Sequence, residues 1–529
     1  MNARSRIIAA LLTIVVGGML VATPAAAADA PYAPISGSGS TWSQNALDQW
    51  RRNVATNYAM KVDYSGTGSS AGRTDFINQT VDFAISEIPF QAQPEDGSAP
   101  EQPSVKFAYM PIVAGGTSIM YNLKIGGKRV TNLRLSGEVI TKIFAGKITR
   151  WNDAAIATDN PALALPDRVI TPVYRSDGSG TSAQFTLWMS KQFPSVWTYG
   201  MRSQFPAVNS TFKGQKGSDG VSAYVSQDYG EGSLTYVEYS YALKSGFPVA
   251  KVLNKAGYYI EPTYQSVAVG LMSATINADL TQNLDGVYNS TDPRTYPISS
   301  YSYMIVPLEP TKVFTADKGR TLSKFAGYMI CEGQQQAAAL GYSPLPMNLV
   351  QAASDVLTKI PGTIGGVDFN ACNNPTFKAG DSPGKNQLAA TAPQPAACDK
   401  QGTTQCTNGT GGAPAATAVT GKGTGASASG GAAASGDTTT SGTGAAAAGS
   451  TAAGGDAAAT GVEPVYDANG NLVSGTANAV GAAAVSSPFT LPEEGWGPQQ
   501  WVMLAAGVLL LLAILLPPVL SRRLRSRGE

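Results

Sequence analysis

The sequence of 529 residues contains no histidine. This absence excludes Ser-His-Asp and Cys-His catalysis and His-ligated zinc, all of which need an imidazole. The sequence also has no G-x-x-x-x-G-K-[ST] phosphate loop. Lysine and arginine (37) barely outnumber aspartate and glutamate (36), and no basic stripe stands out, so we expect no nucleic-acid partner. We likewise expect no metal site and no cofactor.

Cysteine is scarce, and whether the cysteines form disulfides depends on the compartment in which the protein resides. The N-terminus has two arginines, an apolar run over residues 7–22 and small residues up to 30, which is typical of a secretory signal peptide over residues 1–30. Outside the cytoplasm, four cysteines predict two disulfides, with three pairings open. The pairing simplest by sequence proximity joins Cys331 to Cys372 and Cys398 to Cys406.

Three loops rich in glycine, serine and threonine each precede a predicted helix. They are residues 37–42 (GSGSTW), 65–72 (SGTGSSAG) and 176–182 (SDGSGTS), the last directly after Arg175. Backbone N–H groups at a helix N-terminus favour anions, by about 0.3 to 1 kcal/mol for each helix. An ordinary capped strand-to-helix connection is the alternative for any one loop. The recurrence of three such loops favours one shared small-anion site.

Glu87 closes a short apolar segment, VDFAISEIPF over residues 81–90, which we interpret as a strand. Open α/β sheets place ligand contacts at the carboxyl ends of strands, so Glu87 is a candidate for the same site. A solvated turn glutamate is the alternative. Residues 91–105 (QAQPEDGSAPEQPSV) read as a Pro-rich surface excursion, and residues 107–113 and 118–122 as two separate strands. The alternation of strands and helices predicts an α/β protein with largely parallel sheets.

The C-terminal third changes composition. Residues 373–490 are rich in Ala, Gly, Ser and Thr, which predicts a disordered, flexible linker. Residues 501–520 are an apolar run of the length that a transmembrane helix needs, which predicts a membrane span there. The arginines of residues 521–529 predict a basic cytoplasmic tail. Residues 491–495 (LPEEG) are similar to a sortase sorting signal, but Glu494 stands where threonine is expected, which favours membrane anchoring.

Several segments, in order, resemble the phosphate-binding protein of Pst-type ABC phosphate importers. They are GSGSTW, YSGTGSSAG, VDFAISEIPF, LSGEVITKIFAGKITRWND, YRSDGSGTS, GSDGVSAYV, GSLTYVEYSYA, YPISSYSYMIV and ALGYSPLP. The resemblance covers residues 35–360. It implies a two-lobed type II periplasmic-binding-protein fold over residues 31–372, in which 31–112 and 300–372 form lobe I and 113–299 form lobe II.

The resemblance also implies which residues contact the ligand. The phosphate contacts would be Ser40, Thr41, Trp42, Ser69, Glu87, Arg175, Ser179, Gly180 and Thr181. Asp177 would orient Arg175, and Glu87 stands where the family has a proton-reading aspartate. Members of Gram-positive type are commonly lipoproteins, which need a cysteine after the signal, whereas the first cysteine here is Cys331.

The expected function is therefore extracytoplasmic binding of inorganic phosphate and its delivery to a membrane-embedded permease and its ATPase, without catalysis. We expect the protein on the outer face of the cell membrane, held by the C-terminal helix, with cell-wall attachment and partial shedding left open. One alternative is a surface-anchored adhesion or anion-binding protein that reuses the fold. Another is a secreted phosphate-ester hydrolase, which the lack of histidine disfavours.

Overall fold

The computed structural model describes residues 32–95, 97–206, 208–415, 424–426, 465–466 and 472–474. Within these residues, no helix combines the length and apolarity that crossing a bilayer requires. The predicted signal peptide and the predicted span at 501–520 lie outside the described residues.

The strands are short except for two near the centre of the main sheet. They are β1 (Ile35–Gly39), β2 (Val62–Ser65), β3 (Phe83–Ser86), β4 (Phe107–Tyr121), β5 (Lys124–Ile125), β6 (Lys128–Arg129), β7 (Arg134–Leu135), β8 (Thr171–Arg175), β9 (Lys213–Gln215), β10 (Ser233–Glu238), β11 (Val249–Leu253), β12 (Tyr259–Ile260), β13 (Thr275–Ile276), β14 (Gln282–Asn283), β15 (Ser299–Pro307), β16 (Thr404–Cys406), β17 (Thr424–Ala426), β18 (Val465–Tyr466) and β19 (Leu472–Ser474).

The helices lie mostly between consecutive strands. They are α1 (Gln44–Tyr58), α2 (Ser69–Ile77), α3 (Gly137–Phe144), α4 (Ala154–Asp159), α5 (Gly180–Gln192), α6 (Gly217–Ser226), α7 (Tyr239–Ser245), α8 (Tyr264–Leu271), α9 (Asp285–Tyr288), α10 (Ala316–Ile330), α11 (Met347–Leu357) and α12 (Gln387–Thr391), with short 3-10 turns at Asp228–Gly230, Glu332–Gln336 and Ala397–Asp399.

The main sheet has the strand order β2-β1-β3-β15-β4-β10-β8-β9, and β11 extends it beside β4. Both ends of this path are parallel: β1 pairs with β2 and β3, and β8 pairs with β9 and β10. Its centre is antiparallel, because β15 runs against β3 and β4, and β4 runs against β10. The expectation of largely parallel sheets is therefore wrong at the centre, where β4 crosses from one half to the other and pairs antiparallel with both β15 and β10.

Strand β4 is continuous, although we expected two strands. Its residues 107–116 pair with β15 and its residues 117–121 pair with β10. Gly115 and Gly116 interrupt the sequence pattern, but the backbone remains extended at both. Neighbouring side chains occupy the space that a side chain at either position would need. A Cβ on Gly115 would lie 2.7 Å from the indole of Trp42, and one on Gly116 would lie 2.5 Å from Pro262.

Two separate hydrophobic cores flank this crossover. The first contains Trp50, Phe83, Ile305 and Phe325 and belongs to the half that we call lobe I. The second is built on Ile140, Phe185, Trp188 and Tyr236 and belongs to lobe II. Since β4 supplies its first part to the first core and its last residues to the second, the two lobes share one strand.

The two disulfides join Cys331 to Cys372 and Cys398 to Cys406, the pairing that sequence proximity favoured. The first connects the end of α10 to the segment beyond α11. The second closes a small loop within the C-terminal extension.

The prediction that the flexible linker begins at residue 373 is wrong for residues 373–415. These residues pack against both lobes despite their low apolar content, because polar side chains and backbone carbonyls supply the contacts. On lobe I, the buried hydroxyl of Thr376 donates to the Leu345 carbonyl over 2.8 Å, and Phe377 joins the first core. On lobe II, the fully buried Gln405 donates to the Asn132 carbonyl over 3.0 Å.

Arg134 on β7 is the main anchor of this extension on lobe II. The residue is 1% exposed, and its guanidinium donates to the carbonyls of Cys398 (3.2 Å), Gly402 (3.3 Å) and Thr404 (2.9 Å). An ion pair also holds the extension, since Lys251 lies 2.7 Å from Asp399. A composition rule misses such a segment because contacts with both lobes, and not a core of its own, hold it in place.

Ending the chain after Lys378 should therefore destabilise the domain. The truncated chain loses the partners of Arg134 and Lys251, which should lower the free energy of unfolding by about 3 to 5 kcal/mol. A chain that ends after Ala415 is the matched control and should unfold like the longer protein. Equal denaturant midpoints for the two truncations would show that the extension contributes nothing to stability.

Candidate functional site

The three predicted loops lie at the carboxyl ends of strands and open onto one cleft between the lobes. On lobe I, β1 leads into residues 40–43 before α1, and β2 leads into α2. On lobe II, β8 leads into α5 and β9 leads into α6. Because parallel neighbours end at the same edge of a sheet, each lobe presents two helix N-termini to the cleft.

Arg175, the last residue of β8, is the cation of the cleft and is 2% exposed. Its Nε donates to Asp177 Oδ1 over 2.7 Å, and its Nη2 donates to the other oxygen of the same carboxylate. Nη1 points elsewhere and lies 3.5 Å from Thr181 Oγ1 and 3.3 Å from Ser218 Oγ. The arginine is thus held on one side by a carboxylate and presents its remaining nitrogen to hydroxyls from α5 and α6.

The backbone supplies further donors. The N–H groups of Thr41, Ser69, Gly180 and Thr181 make no hydrogen bond to any part of the chain that the structure describes, yet all four residues are buried. Buried N–H groups are rarely left unpaired, and at helix N-termini they are suited to an oxyanion. The donors therefore come from both lobes.

Glu87 lies directly after β3, is completely buried, and has both carboxylate oxygens hydrogen-bonded. Ser69 Oγ donates to Oε2 over 2.9 Å, and Ser302 Oγ on β15 donates to Oε1 over 2.8 Å. A Cβ on Gly180 would lie 2.2 Å from Oε2, so only glycine lets the start of α5 come this close to the carboxylate.

The remaining predicted residues play different parts in the geometry. Ser179 caps α5, since its Oγ accepts from Ser182 N over 3.1 Å. Ser40 Oγ accepts from Trp42 N over 3.0 Å, so that N–H already has a partner. The Trp42 indole points away toward the strand crossover, where Nε1 donates to Thr117 Oγ1 over 3.3 Å. The structure thus brings all the predicted residues to the cleft, although Trp42 supports it from behind.

Ser218 and Ser302 contribute to the cleft but were absent from the predicted set. Ser218, in the first turn of α6, shares a 2.9 Å hydrogen bond with Thr41 Oγ1, and its own N–H donates to that oxygen over 3.0 Å. The signal for Ser218 was the fourth glycine-rich helix start, GSDG at residues 217–220. Nothing local marks Ser302, because its role depends on the pairing of β15 with β3.

The lobes touch across the cleft. Ser70 N of lobe I donates to the Gly178 carbonyl of lobe II over 3.1 Å, and Thr41 meets Ser218 as described. Gly68, with φ of +99°, permits a close approach, since a Cβ there would lie 2.6 Å from Asp177 Oδ2. The structure is therefore in a closed arrangement that buries the polar groups of both lobes.

Burial raises the pKa of Glu87 above its usual value, and hydrogen bonds from Ser40, Ser302 and Ser69 and the charge of Arg175 only partly offset this effect. Burial alone would also raise the pKa of Asp177, but hydrogen bonds and charge from Arg175 lower it. The two carboxylates of the cleft thus differ in how readily they ionise. Asp177 is kept ionised by its arginine, whereas Glu87 is a buried acceptor without a cation bonded to it.

Such a cleft can bind a small oxyanion by hydrogen bonds alone. Its donors are one guanidinium, several hydroxyls and unpaired N–H groups, and its acceptor is one carboxylate. No group of three or more Cys, Asp or Glu side chains able to hold a metal occurs within the described parts of the chain. An anion that carries a proton would satisfy both the donors and Glu87.

The fold and the cleft together define a two-lobed solute-binding protein of the α/β class. A profile of the PBP superfamily domain matches residues 24–332, more than half of the chain. The phosphate-binding protein PstS of Xylella fastidiosa (strain Temecula1) is 33% identical over 336 residues, which cover 62% of this chain and 86% of the relative. PstS 2 of Mycobacterium tuberculosis is 33% identical over 317 residues, 58% of this chain and 82% of the relative. The chain belongs to this family of phosphate-binding proteins within the PBP superfamily.

The chain also has a weak likeness to solved structures. A phosphate-binding protein from Stenotrophomonas maltophilia is 20% identical, with a TM-score of 0.43 over 59% of this chain and 91% of the other. The curated relatives are named as binding proteins, which confirms the prediction of a binding protein and not an enzyme.

The raised pKa of Glu87 predicts a pH-dependent cost in stability. A carboxyl whose pKa is higher in the folded than in the unfolded state contributes stability at low pH, and this contribution is lost as pH rises through the folded pKa. Glu87→Gln should therefore raise the Tm measured without phosphate at pH 7 by about 2 °C or more. At pH 4, the two proteins should melt close together.

Glu138→Gln is the control for this experiment, because the Glu138 side chain is 57% exposed and should change the Tm little at either pH. A Glu87→Gln protein that is less stable than wild type at pH 7 would contradict the account of Glu87 as a costly buried carboxylate.

Proposed function

We propose that this protein binds inorganic phosphate outside the cytoplasm and delivers it to an ABC phosphate importer. One observation carries the proposal: the buried Arg175 shares a closed cleft with unpaired backbone N–H groups from both lobes and with the buried acceptor Glu87. The family relationship supports the same ligand, since the curated relatives are named phosphate-binding proteins.

We assign the residues of the cleft as follows. Arg175 Nη1, the hydroxyls of Thr41 and Thr181, and the helix N-termini at Ser69 and Gly180 donate to phosphate oxygens. Ser40, Trp42 and Ser179 shape these loops from behind, and Ser218 joins the donors. Asp177 orients Arg175, because its two oxygens fix Nε and Nη2 and leave Nη1 directed at the ligand. This assignment rests on hydrogen-bond geometry and on charge.

Glu87 gives the site its selectivity. Near neutral pH, inorganic phosphate still carries at least one proton, whereas sulfate carries none. Ser69 and Ser302 already donate to Glu87, so a further oxygen without a proton would face the carboxylate with nothing between them. A site built to pair a substrate O–H can reject an analogue that lacks it by about 10⁴ to 10⁵.

Release to the importer requires the lobes to separate. The cross-lobe contacts between Ser70 and Gly178 and between Thr41 and Ser218 close the cleft, while β4 and β15 connect the lobes behind it. Motion about this crossover would expose the donors without unfolding either core. How far the cleft opens therefore depends on which of these cross-lobe contacts break.

We also propose how the chain is organised around this domain. Residues 1–30 serve as the signal peptide, and the binding domain runs from 31 to 415, with lobe I formed by 31–112 and 300–372 and lobe II by 113–299. Residues 416–490 form the linker, residues 501–520 a membrane anchor, and residues 521–529 a basic cytoplasmic tail. The apolar length of the span and its arginine-rich flank support this orientation. Cell-wall attachment at residues 491–495 and partial shedding are the alternatives.

Removing the guanidinium of Arg175 should weaken phosphate binding. Arg175→Ala deletes a charged donor from a desolvated site and leaves Asp177 without its partner, so binding should weaken by about 2 to 5 kcal/mol in a calorimetric titration. Arg150→Ala is the control, because Arg150 pairs with Asp167 at the surface. An unchanged dissociation constant for Arg175→Ala would overturn the assignment of this arginine.

Changing Glu87 should alter selectivity more than affinity for anions in general. Glu87→Gln introduces an amide that can donate to a bare oxygen, so phosphate should bind more weakly and sulfate more strongly. Glu87→Asp should keep the selectivity, with some loss of affinity if the cleft is fitted to the longer side chain. If Glu87→Gln leaves the phosphate-to-sulfate affinity ratio within about threefold of wild type, another group reads the proton.

Truncation should separate the anchor from the binding function. A chain that ends before Trp496 lacks the proposed span but retains the domain and linker, and it should appear in the culture medium with unchanged affinity for phosphate. Fractionation of cells followed by a binding assay measures both properties. Retention of the truncated protein by membranes would contradict the proposed anchor.

A further inference from the structure

The Pro-rich excursion over residues 91–105 leaves lobe I and returns to it, and its base is fastened to the cleft helix α2. Arg73 on α2 is 1% exposed and forms a two-pronged ion pair with Glu101, at 2.7 Å from Nε and 3.1 Å from Nη2. Gln91 N donates to the same carboxylate over 2.7 Å, and Glu101 N donates to the Gln91 carbonyl over 2.8 Å. The two ends of the excursion are therefore clamped together on α2.

The tip of the excursion reaches across to lobe II. Glu95 Oε1 accepts a short hydrogen bond from Ser203 N and a longer one of 3.4 Å from Gln204 N. The Glu95 carbonyl accepts from Arg202 Nη1 over 2.8 Å. All three donors belong to the segment that follows α5, so Glu95 alone makes three contacts across the gap between the lobes.

The contact point on lobe II is tied to the loop that faces the ligand. The Ser203 carbonyl accepts from Ser179 N over 3.0 Å, and Ser179 is the residue that caps α5. One residue earlier, the Gly178 carbonyl accepts from Ser70 N in the first turn of α2. Glu95 thus completes a connection from α2 to α5 that runs outside the cleft and touches none of the proposed phosphate donors.

We propose that Glu95 is a latch that holds the closed lobes together and sets how slowly phosphate is released. The inference rests on the proposed function, because it concerns release of that ligand. The latch hydrogen bonds join residues of different lobes, so they are lost when the lobes separate. Phosphate that enters an open cleft does so while these hydrogen bonds are absent. Phosphate can leave a closed cleft only after they have broken. Glu95 therefore acts on the dissociation rate and is a positioning residue that does not itself touch phosphate.

Release of ³²P-orthophosphate from full-length protein in detergent, chased with unlabelled phosphate, tests the latch. Glu95→Ala removes the acceptor of two N–H groups and should raise the dissociation rate constant about tenfold. The dissociation constant should rise by the same factor, so the association rate constant calculated from the two should stay unchanged. Glu95→Gln retains an acceptor oxygen at the same position and should stay within about threefold of wild type.

Glu309→Ala is the matched control, because Glu309 accepts from Lys106 N over 2.9 Å beyond the other end of the excursion and makes this contact within lobe I. It should leave the dissociation rate unchanged. A Glu95→Ala protein with a dissociation rate within twofold of wild type overturns the latch, as does a loss of affinity that comes entirely from slower association. Wild-type protein that retains no phosphate would overturn the proposed function itself, which separates that failure from a failure of the latch.

Discussion

The ion pair between Arg175 and Asp177 is the interaction on which the cleft depends. A buried guanidinium needs a partner, and Asp177 supplies both of its oxygens without covering Nη1. The same carboxylate accepts from Gly217 N over 2.9 Å, so it also fixes the start of α6. Gly68 of lobe I lies against it, where any side chain would collide. One carboxylate thus orients the cation, positions a helix and limits how closely the lobes approach.

Glu87 balances this cation from the opposite lobe. It is buried among serine hydroxyls and has no cation bonded to it, which makes the carboxylate costly to ionise. This cost fits the proposed role of Glu87 in recognition, because an apolar residue at this position would stabilise the fold better. Under the proposed function, the opposed environments of Asp177 and Glu87 would let the same cleft attract an anion and require a proton on it.

Much of this cleft could be predicted from the sequence, because its donors lie in short loops with local signatures. The glycine and hydroxyl patterns that open helices indicated the three loops and Arg175, and the family resemblance then singled out Ser69 and Gly180 within those loops. Ser302 could not be, since its contact with Glu87 depends on which strand pairs with β3. Nor could the sequence reveal that β4 continues through Gly115, where a bulky neighbour fills the space that a side chain would need.

The extension over residues 373–415 was missed for a related reason. Its composition predicts disorder when the segment is considered alone, yet carbonyls of its backbone satisfy Arg134 and its disulfide closes a compact loop against lobe II. Composition indicates whether a segment can form a hydrophobic core of its own. The extension has no such core and instead supplies hydrogen-bond partners to groups in another part of the fold. Glu95 lies in a surface loop, and its contacts could not be predicted for the same reason, since they depend on residues from another part of the fold.

Calorimetric titration of the wild-type protein with phosphate and then with sulfate, at pH 7 and equal ionic strength, tests the central claim most directly. The donors around Arg175 and the acceptor Glu87 predict phosphate binding at micromolar affinity or tighter, with sulfate weaker by about 10³-fold or more. Comparable affinity for the two anions, or no binding of phosphate, would contradict this account of the cleft.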